Sequence, residues 1–377
     1  MEICIGIDAR YGFRDNRRGI GNYIYKLVEG FKEIRPSGFV FHLYVDKMAN
    51  PIMVKEMQDD SFKVHMLHSE NLALWEQIAL PMAAKRNRID ILHCTSNIAP
   101  VFLRTCKYIT TIHDTIEFRR SEFGDNNLTY RHHLSRFYRM GILPRIARMS
   151  DLIITVSEYS KCDISAVLKV SPEKIRVTYE APNYVNENSL NSKTLCAKLN
   201  IPENFIFALG AVDQRKNTKR LLEAYKILRN EGITKIPLVV AGIENLEFFS
   251  KYQGEGVYLF EYLSDKEIAA LYRYALFFVY PSLYEGFGLP VLEAMLYGSP
   301  VLCSETTSVG EVAVDAAFKF NPADVIDMAG KMKILIYNSE LRAELRKKGQ
   351  IHVAEFSWEK CTMETLEIYK ELLGGQV

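Results

Sequence analysis

Short apolar runs alternate with longer amphipathic stretches along the whole chain. The runs are rich in β-branched and aromatic residues, a pattern typical of strands buried on both faces of a parallel sheet. The first predicted series is Ile3–Asp8, Phe39–Val45, Lys63–Leu67, Ile89–His93, Tyr108–His113, Leu152–Val156 and Ile175–Tyr179. The second is Phe205–Gly210, Leu238–Gly242, Val257–Phe260, Phe277–Tyr280, Pro300–Cys303 and Phe318–Phe320. Strands that alternate with helices in this way predict doubly wound α/β domains.

A polar, Asn-rich stretch at 181–194 separates the two series of strands and is typical of a linker. The length of 377 residues also suits two domains better than one. Ligands of doubly wound sheets bind at the carboxyl ends of the strands. We therefore expect the functional site where two such domains face each other across a cleft.

The charge of the chain is nearly balanced in total but not along its length. The 47 Lys and Arg against 46 Asp and Glu give +1, which disfavours a nucleic-acid partner. Residues 1–180 carry 26 basic against 21 acidic side chains, a balance of +5. The rest of the chain therefore carries −4, so an anionic partner is expected on the first domain.

Much of the positive excess lies in residues 129–150, which contain five Arg, His132, His133 and no acid. Apolar residues are interleaved, so we predict a basic amphipathic segment that breaks near Gly141 and Pro144. Such a segment is suited to an anionic membrane or to a diphosphate-linked acceptor. A solvated helix face is the alternative interpretation.

The cysteines indicate a reducing compartment. The seven are scattered singly, without metal-ligand spacing, so we expect reduced, mostly buried thiols in a cytoplasmic protein. No apolar run approaches the ~18 residues of a membrane span, and the first residues do not resemble a signal peptide.

The most informative motif is Pro-Ser-Leu-Tyr-Glu-Gly-Phe-Gly-Leu-Pro-Val-Leu-Glu-Ala at 281–294. It follows a predicted strand, and Pro290 suits the first turn of a helix that begins at Leu289. The backbone amides of Gly286, Phe287, Gly288 and Leu289 would then point out of a helix N-terminus, a favourable place for a phosphate. Glu285 and Glu293 flank this turn and are able to accept hydrogen bonds from sugar hydroxyls.

Arg215 and Lys216 follow the first strand of the second domain, in Gly-Ala-Val-Asp-Gln-Arg-Lys-Asn. A fork-shaped guanidinium beside an ammonium is suited to stabilise a departing diphosphate. No Asp-x-Asp occurs in the sequence, so we expect this cation pair and the helix amides to act without a metal or other cofactor.

The motif at 281–294 resembles glycosyltransferase family 4, whose hallmark is Glu-x7-Glu in this same setting. The resemblance implies retaining sugar transfer and the GT-B fold, with two Rossmann-like domains. Domains are then expected at 1–182, for the acceptor, and at 195–358, for the nucleotide-sugar donor. A C-terminal helix at 359–377 would pack back on the first domain, after the Phe-Ser-Trp that closes the family pattern.

The resemblance also assigns roles to single residues. It implies that Glu285 contacts the donor hexose near the reacting carbon and that Glu293 binds the ribose. His113, in His-Asp after a strand, would line the reaction centre, although a lone strand-end His is more often structural. Gly19 and Gly21 match the family loop at the donor diphosphate. Leu263 lies in the segment that corresponds to the base-binding loop.

These residues depart from the family in two places. Many members have Arg directly after the glycine where this chain has Ala211, which leaves the phosphate role to Arg215 and Lys216. Glu261 stands where Gly is frequent, so the base of the donor stays open.

The sequence thus predicts a transferase that moves a hexose from a nucleotide diphosphate sugar to a glycan or lipid-linked acceptor. The Ile-Asp-Ala-Arg start and the Arg-Arg-Gly-Ile-Gly-Asn-Tyr loop resemble bacterial mannosyltransferases of surface polysaccharide assembly, which favours GDP-mannose. A UDP-sugar donor, a nucleotide-sugar epimerase of the same fold and a non-catalytic binding module remain alternatives. A dinucleotide oxidoreductase is disfavoured because Ile24 replaces the third glycine of its fingerprint.

Overall fold

The computed structural model describes residues 2–15, 17, 19–69, 71–123, 130–185, 191–254 and 256–374. Side chains at 120, 121, 130–135 and 192 are not described. The chain forms two compact units. Unit 1 consists of the chain up to Ser121, the segment 125–180 and the C-terminal segment that begins at Trp358. Unit 2 takes Ala181–Ser357 and a short segment that begins at Glu122.

Unit 1 is built on a parallel sheet of seven strands in the order β3-β2-β1-β4-β5-β6-β7. Its strands are β1 (Ile3–Asp8), β2 (Phe39–Val45), β3 (Phe62–Met66), β4 (Ile91–Cys94), β5 (Lys107–Thr111), β6 (Leu152–Thr155) and β7 (Ile175–Val177). Its helices are α1 (Ile20–Ile34), α2 (Pro51–Met57), α3 (Leu72–Leu74), α4 (Leu80–Arg86), α5 (Ile116–Arg119), α6 (Tyr130–Met149), α7 (Glu158–Leu168) and α15 (Trp358–Leu372). A π-helical turn, Trp75–Ala79, joins α3 to α4.

Unit 2 has a second parallel sheet, of six strands in the order β10-β9-β8-β11-β12-β13. Its strands are β8 (Ile206–Leu209), β9 (Leu238–Ala241), β10 (Val257–Phe260), β11 (Phe278–Tyr280), β12 (Val301–Ser304) and β13 (Phe318–Phe320). Its helices are α8 (Ser192–Leu199), α9 (Thr218–Asn230), α10 (Asp265–Tyr274), α11 (Leu289–Leu296), α12 (Thr307–Ala313), α13 (Val325–Tyr337) and α14 (Ser339–Val353). The two doubly wound sheets confirm the predicted fold class.

Each predicted strand is present, with ends shifted by no more than two residues. The central strands of both sheets are buried on both faces, which explains why the sequence shows apolar runs there instead of alternation, whereas the edge strand β3 is partly exposed. Local capping fixes several helix starts. Ser157 accepts from the amide of Ser160, and Ser264 forms a reciprocal capping box with Glu267.

Helix α15 packs within unit 1 against α1. The Phe31 and Tyr369 rings stack with centroids 5.7 Å apart, and a Cβ at Gly30 would clash with Thr362. The Tyr369 hydroxyl also bonds His93 Nδ1 at 2.6 Å, and His93 Nε2 bonds the Thr111 hydroxyl at 2.7 Å. These bonds tie the last helix to the strands of the first sheet.

The predicted break of the Arg-rich segment is wrong. Helix α6 runs unbroken from Tyr130 to Met149, with Pro144 inside it. Proline removes one amide donor, but the flanking residues Ile142, Leu143 and Ile146 are buried in the core and hold the helix in place. Thr129 lies outside the described residues.

Four of the seven free cysteines are buried, Cys4 and Cys106 are partly buried and Cys162 is exposed. Within the described ranges, no helix is both long and apolar enough to cross a membrane.

Candidate functional site

Two loops of unit 2 meet at the carboxyl edge of its sheet. They follow β8 and β11, which are neighbours at the point where the strand order reverses. The Leu283 amide donates to the Arg215 carbonyl at 2.8 Å, and the Asn217 side chain donates to the Pro281 carbonyl at 3.0 Å. Such a switch point is the usual ligand-binding position of an open α/β sheet.

Glu285 is the centre of a dense polar cluster formed by these loops. Its Oε1 accepts from Lys216 Nζ at 2.8 Å, from the Tyr280 hydroxyl at 2.7 Å and from the Ser282 hydroxyl at 2.6 Å. Its Oε2 lies 2.8 Å from the guanidinium of Arg215, which also donates to the Tyr284 carbonyl at 2.9 Å. Three residues that the sequence placed in two separate motifs therefore form one ion cluster.

The cluster holds Glu285 in its ionised form. Burial opposes the negative charge, but Lys216 and Arg215 outweigh burial and lower the pKa of Glu285 from 4.5 to about 2. Asp213 also lies 3.5 Å from the Arg215 guanidinium, so the charges of the two cations are balanced by two carboxylates. A guanidinium and an ammonium held side by side are suited to bind an anionic ligand such as a diphosphate.

Glu293 occupies a different environment, inside α11. Its Oε2 accepts from the Tyr272 hydroxyl at 3.1 Å. Burial raises the pKa of Glu293, and the bond from Tyr272 offsets this only in part. The pKa values of the two glutamates in the Glu-x7-Glu motif are thus shifted in opposite directions, down for Glu285 and up for Glu293.

The turn between them has the predicted form. Gly288 is the N-cap of α11 at φ 117°, a conformation that favours glycine, and Pro290 lies in the first turn. Gly288 offers no side chain to cap the helix. Phe287 is buried, with its ring edge-on to Phe356. Leu289 is half-buried as the first helical residue, and Gly286 is also partly exposed.

A cavity of about 370 Å³ lies beside the loop that carries the two cations. Its lining is Ala211, Val212, Asp213, Gln214, Asn217, Thr218, Lys219, Arg220, Glu223, Phe248 and Phe249. Arg215 and Lys216 do not line it, because their side chains reach Glu285 instead.

His113 lies in unit 1, just after β5, and is more enclosed than the sequence suggested. Its Nε2 lies 3.1 Å from the Thr95 carbonyl and its Nδ1 3.3 Å from Glu180. Burial opposes a charge on the ring, but Glu180 outweighs it and raises the pKa of His113. With an acceptor at each nitrogen, the imidazolium form satisfies both, and the Tyr23 ring packs edge-on at 4.8 Å.

Gly19 and Gly21, in the loop before α1, each suit glycine for a different structural reason. Gly19 is the N-cap of α1 at φ 45°, and a Cβ there would meet no atom within 4 Å. A Cβ at Gly21 would lie 2.8 Å from the Tyr11 carbonyl oxygen, so the close approach at Gly21 is to the chain itself. Arg18, in the same motif, lies outside the described residues.

Leu263 lies half-buried in the loop between β10 and α10, directly before the capping Ser264. The structure therefore brings Arg215, Lys216 and Glu285 into direct contact. Leu263 belongs to another loop of unit 2, while His113, Gly19 and Gly21 belong to unit 1.

Sequence reasoning missed the hydroxyls that complete the cluster. Tyr280, Ser282 and Tyr272 each donate to one of the two glutamates. The sequence could have indicated two of these hydroxyls, because Tyr280 ends a buried strand and Ser282 lies three residues before Glu285. Polar residues at the carboxyl end of a parallel strand point to a site.

Two Rossmann-like sheets in one chain are the architecture of the GT-B fold. Residues 17–181 match the model of Glycosyltransferase Family 4, and residues 192–352 match that of Glycosyl transferases group 1. The chain is 31% identical to the O-antigen chain mannosyltransferase B of Escherichia coli. The alignment of 274 residues covers 70% of each protein. The chain therefore belongs to glycosyltransferase family 4.

Other similar proteins agree with this assignment. The serotype-specific mannosyltransferase WbdA of Escherichia coli is 30% identical over 71% of this chain, which corresponds to 34% of that longer protein. Sucrose-phosphate synthase from Thermosynechococcus elongatus has a similar structure, with a TM-score of 0.75 at 18% identity over 100% of both chains. The lipopolysaccharide glycosyltransferase WaaG gives a TM-score of 0.69 at 13% identity, over 97% of this chain and 99% of that one. At such identities the structures establish the fold alone.

Proposed function

We propose that this glycosyltransferase is a retaining, metal-independent hexosyltransferase of surface polysaccharide assembly. It moves a sugar from a nucleotide diphosphate donor to a hydroxyl of a glycan or lipid-linked acceptor, and mannose from GDP-mannose is the favoured donor. The observation that carries the proposal is the contact of Arg215 and Lys216 with Glu285 at the switch point of unit 2. The mannosyltransferases among its relatives support the choice of sugar.

Within this proposal the cation pair receives the donor diphosphate, together with the turn of Gly286, Phe287 and Gly288 and the start of α11. Positive charge is needed there because the leaving group gains negative charge as the bond to the sugar breaks. Glu285 orients the hexose and Glu293 the ribose. Leu263 contacts the base.

Transfer then proceeds on one face of the sugar. The bond from the anomeric carbon to the diphosphate oxygen breaks, and a bond from that carbon to the acceptor oxygen forms on the same side. The acceptor proton passes to the departing phosphate oxygen, while Arg215 and Lys216 stabilise the charge that remains. The configuration at the anomeric carbon is retained, and no protein nucleophile is required.

Unit 1 is assigned the acceptor. His113, with both ring nitrogens engaged by Thr95 and Glu180, would place a positive charge near the reacting sugar. Gly19 would let backbone approach the diphosphate in the loop that Gly21 packs against the chain. The chain would work in the cytoplasm at the inner face of the cell membrane, with the Arg-rich segment 129–150 towards anionic headgroups. Five Arg and no acid in that segment support this part of the proposal.

A donor panel tests the proposal. UDP-, GDP- and ADP-sugars are offered to the purified chain in the presence of EDTA, and ligand-dependent thermal stabilisation and sugar release are measured. We expect stabilisation and turnover by GDP-mannose, with the anomeric configuration kept. Turnover of a UDP-sugar alone would change the donor, conversion to an epimer without an acceptor would indicate an epimerase, and no binding of any donor would contradict the proposal.

A further inference from the structure

The outer face of residues 72–86 in unit 1 is apolar up to its last turn. Its exposed positions recur every fourth residue at Leu74, Ile78 and Met82, each roughly half exposed or more. The inner face buries Trp75 and Leu80, as the inner face of an ordinary helix does, and Glu76 and Gln77 are buried with them. The stretch is therefore apolar on both faces, whereas a surface helix in water is polar on its outer face.

Two further segments extend this apolar face. The Gln77 side chain accepts from the Val101 amide at 2.8 Å and donates to the Ala99 carbonyl at 3.2 Å. These bonds hold the loop that exposes Phe102 and Leu103 against the helical stretch.

Helix α6 adjoins on another side. The Tyr138 hydroxyl donates to Glu76 at 2.8 Å, and the preceding residue, Phe137, is 68% exposed. We call the six exposed side chains the apolar patch: Leu74, Ile78, Met82, Phe102, Leu103 and Phe137. Exposed apolar groups that lie together on a surface indicate an interaction site.

Basic residues predominate in the segments that carry the apolar patch. Residues 71–89, 97–107 and 130–149 contain ten Lys and Arg and a single acid, the buried Glu76. Lys85 and Arg86 end the helical stretch, and Arg145 and Arg148 continue the exposed face of α6 after Phe137. Acids from neighbouring segments pair with part of this charge, Asp151 with Arg104 and Glu117 with Arg139.

We propose that the apolar patch is a membrane-docking surface that enters the interface of a bilayer with anionic headgroups. Apolar side chains enter between the headgroups, and the surrounding Lys and Arg bind the phosphates. The excess of Lys and Arg over acids around the apolar patch is complementary to an anionic bilayer. The inference rests on the proposed function, because a lipid-linked acceptor is reached from the bilayer surface.

The test measures binding of the full chain to lipid vesicles by co-sedimentation. Vesicles of phosphatidylcholine alone are compared with vesicles that contain about 30% phosphatidylglycerol. The variant Ile78→Gln/Met82→Gln/Phe102→Gln removes apolar insertion, and Arg145→Gln/Arg148→Gln removes charge. Ile326→Gln/Ile351→Gln, which changes exposed apolar residues of unit 2, is the matched control.

We expect the unaltered chain and the control to bind anionic vesicles, and binding of the triple variant to fall at least about tenfold. The charge variant should lose most of its preference for anionic over neutral vesicles. Donor turnover without vesicles should stay within about twofold in the triple variant, which separates this inference from the proposed function. If donor turnover is absent while vesicle binding behaves as stated, the proposed function fails and the docking surface stands.

Three results would overturn the inference. One is the absence of vesicle binding by the unaltered chain, and another is equal binding by the triple variant and the control. The third is self-association of the unaltered chain that the triple variant abolishes, because the apolar patch would then be an interface between two copies.

Discussion

The carboxylate of Glu285 neutralises one of the two charges that we assign to the donor diphosphate. Arg215 and Lys216 both reach it at 2.8 Å, and its pKa of about 2 keeps it ionised throughout the physiological range. A diphosphate that enters the cluster therefore shares its cations with an internal anion. Substitutions at this residue should separate binding of the nucleotide from transfer of the sugar.

We predict that Glu285→Gln lowers the rate of sugar release at saturating donor by about 10²–10³-fold, because a group assigned to the reacting sugar is lost. Affinity for the nucleoside diphosphate should stay the same or rise, because the cations lose a competing anion. Calorimetric titration and initial rates measure the two quantities. Glu344→Gln, which changes an exposed carboxylate of α14, is the control and should change neither quantity. A rate within twofold of the unaltered chain would contradict the assignment.

Another glutamate, Glu76, should make the free energy of unfolding depend on pH. Glu76 is buried in unit 1 near Asp8 and accepts from Tyr138 at its Oε2. Burial raises the pKa of Glu76 from 4.5 to about 7. The unfolded chain ionises this group near pH 4.5 and the folded chain only near pH 7. Folding therefore loses stability across that window as the pH rises, by as much as about 3 kcal/mol.

Glu76→Gln should accordingly raise the free energy of unfolding at pH 8 and leave it unchanged near pH 4. The amide oxygen still accepts from Tyr138, so that hydrogen bond is kept. Urea unfolding at the two pH values measures the difference. A gain of the same size at both values would show that packing, not ionisation, is responsible.

At the scale of elements, helix α6 shows what sequence patterns leave undecided. Gly141 and Pro144 predicted a break, yet the helix continues because its buried residues pack on the sheet. Tertiary packing of one face outweighs the local preference of two residues. The start of α11 at Leu289, by contrast, was predictable because Gly288 and Pro290 mark it directly.

Two glycine substitutions should therefore have opposite effects. A Cβ at Gly141 would meet no atom within 4 Å inside an exposed helix, so Gly141→Ala should stabilise unit 1 by about 0.5–1 kcal/mol. Gly288 has φ 117°, so Gly288→Ala should destabilise unit 2 by at least about 1 kcal/mol. Thermal unfolding measures both changes. Destabilisation by Gly141→Ala would mean that α6 needs the local flexibility of glycine.

At the scale of the whole molecule, the sequence predicted the fold far better than the arrangement of the site. The thirteen strands followed from apolar runs, because burial on both faces leaves a clear signal. The contact of Arg215 and Lys216 with Glu285 did not follow, because the two loops are about seventy residues apart and meet only through strand order. The exposed apolar face of residues 72–86 was also missed, because a stretch that is apolar on both faces has no spacing that reveals which face is buried.

The structure shows where the excess of basic residues in the first half of the chain lies. The balance of +5 in residues 1–180 suggested an anionic partner for the first domain. Three segments that pack together around an exposed apolar surface carry much of this excess, while in unit 2 two cations contact one carboxylate. The two halves of the chain thus use positive charge for different purposes in the account proposed here.

The most direct test of the central claim compares Lys216→Ala with Lys226→Ala. Lys216 contacts Glu285, whereas Lys226 is an exposed residue of α9 that does not line the cavity of the site. Initial rates of sugar release from GDP-mannose are measured for both variants and the unaltered chain. The account predicts a loss of at least about 100-fold for Lys216→Ala and less than about twofold for Lys226→Ala. Equal rates for the two variants would contradict it.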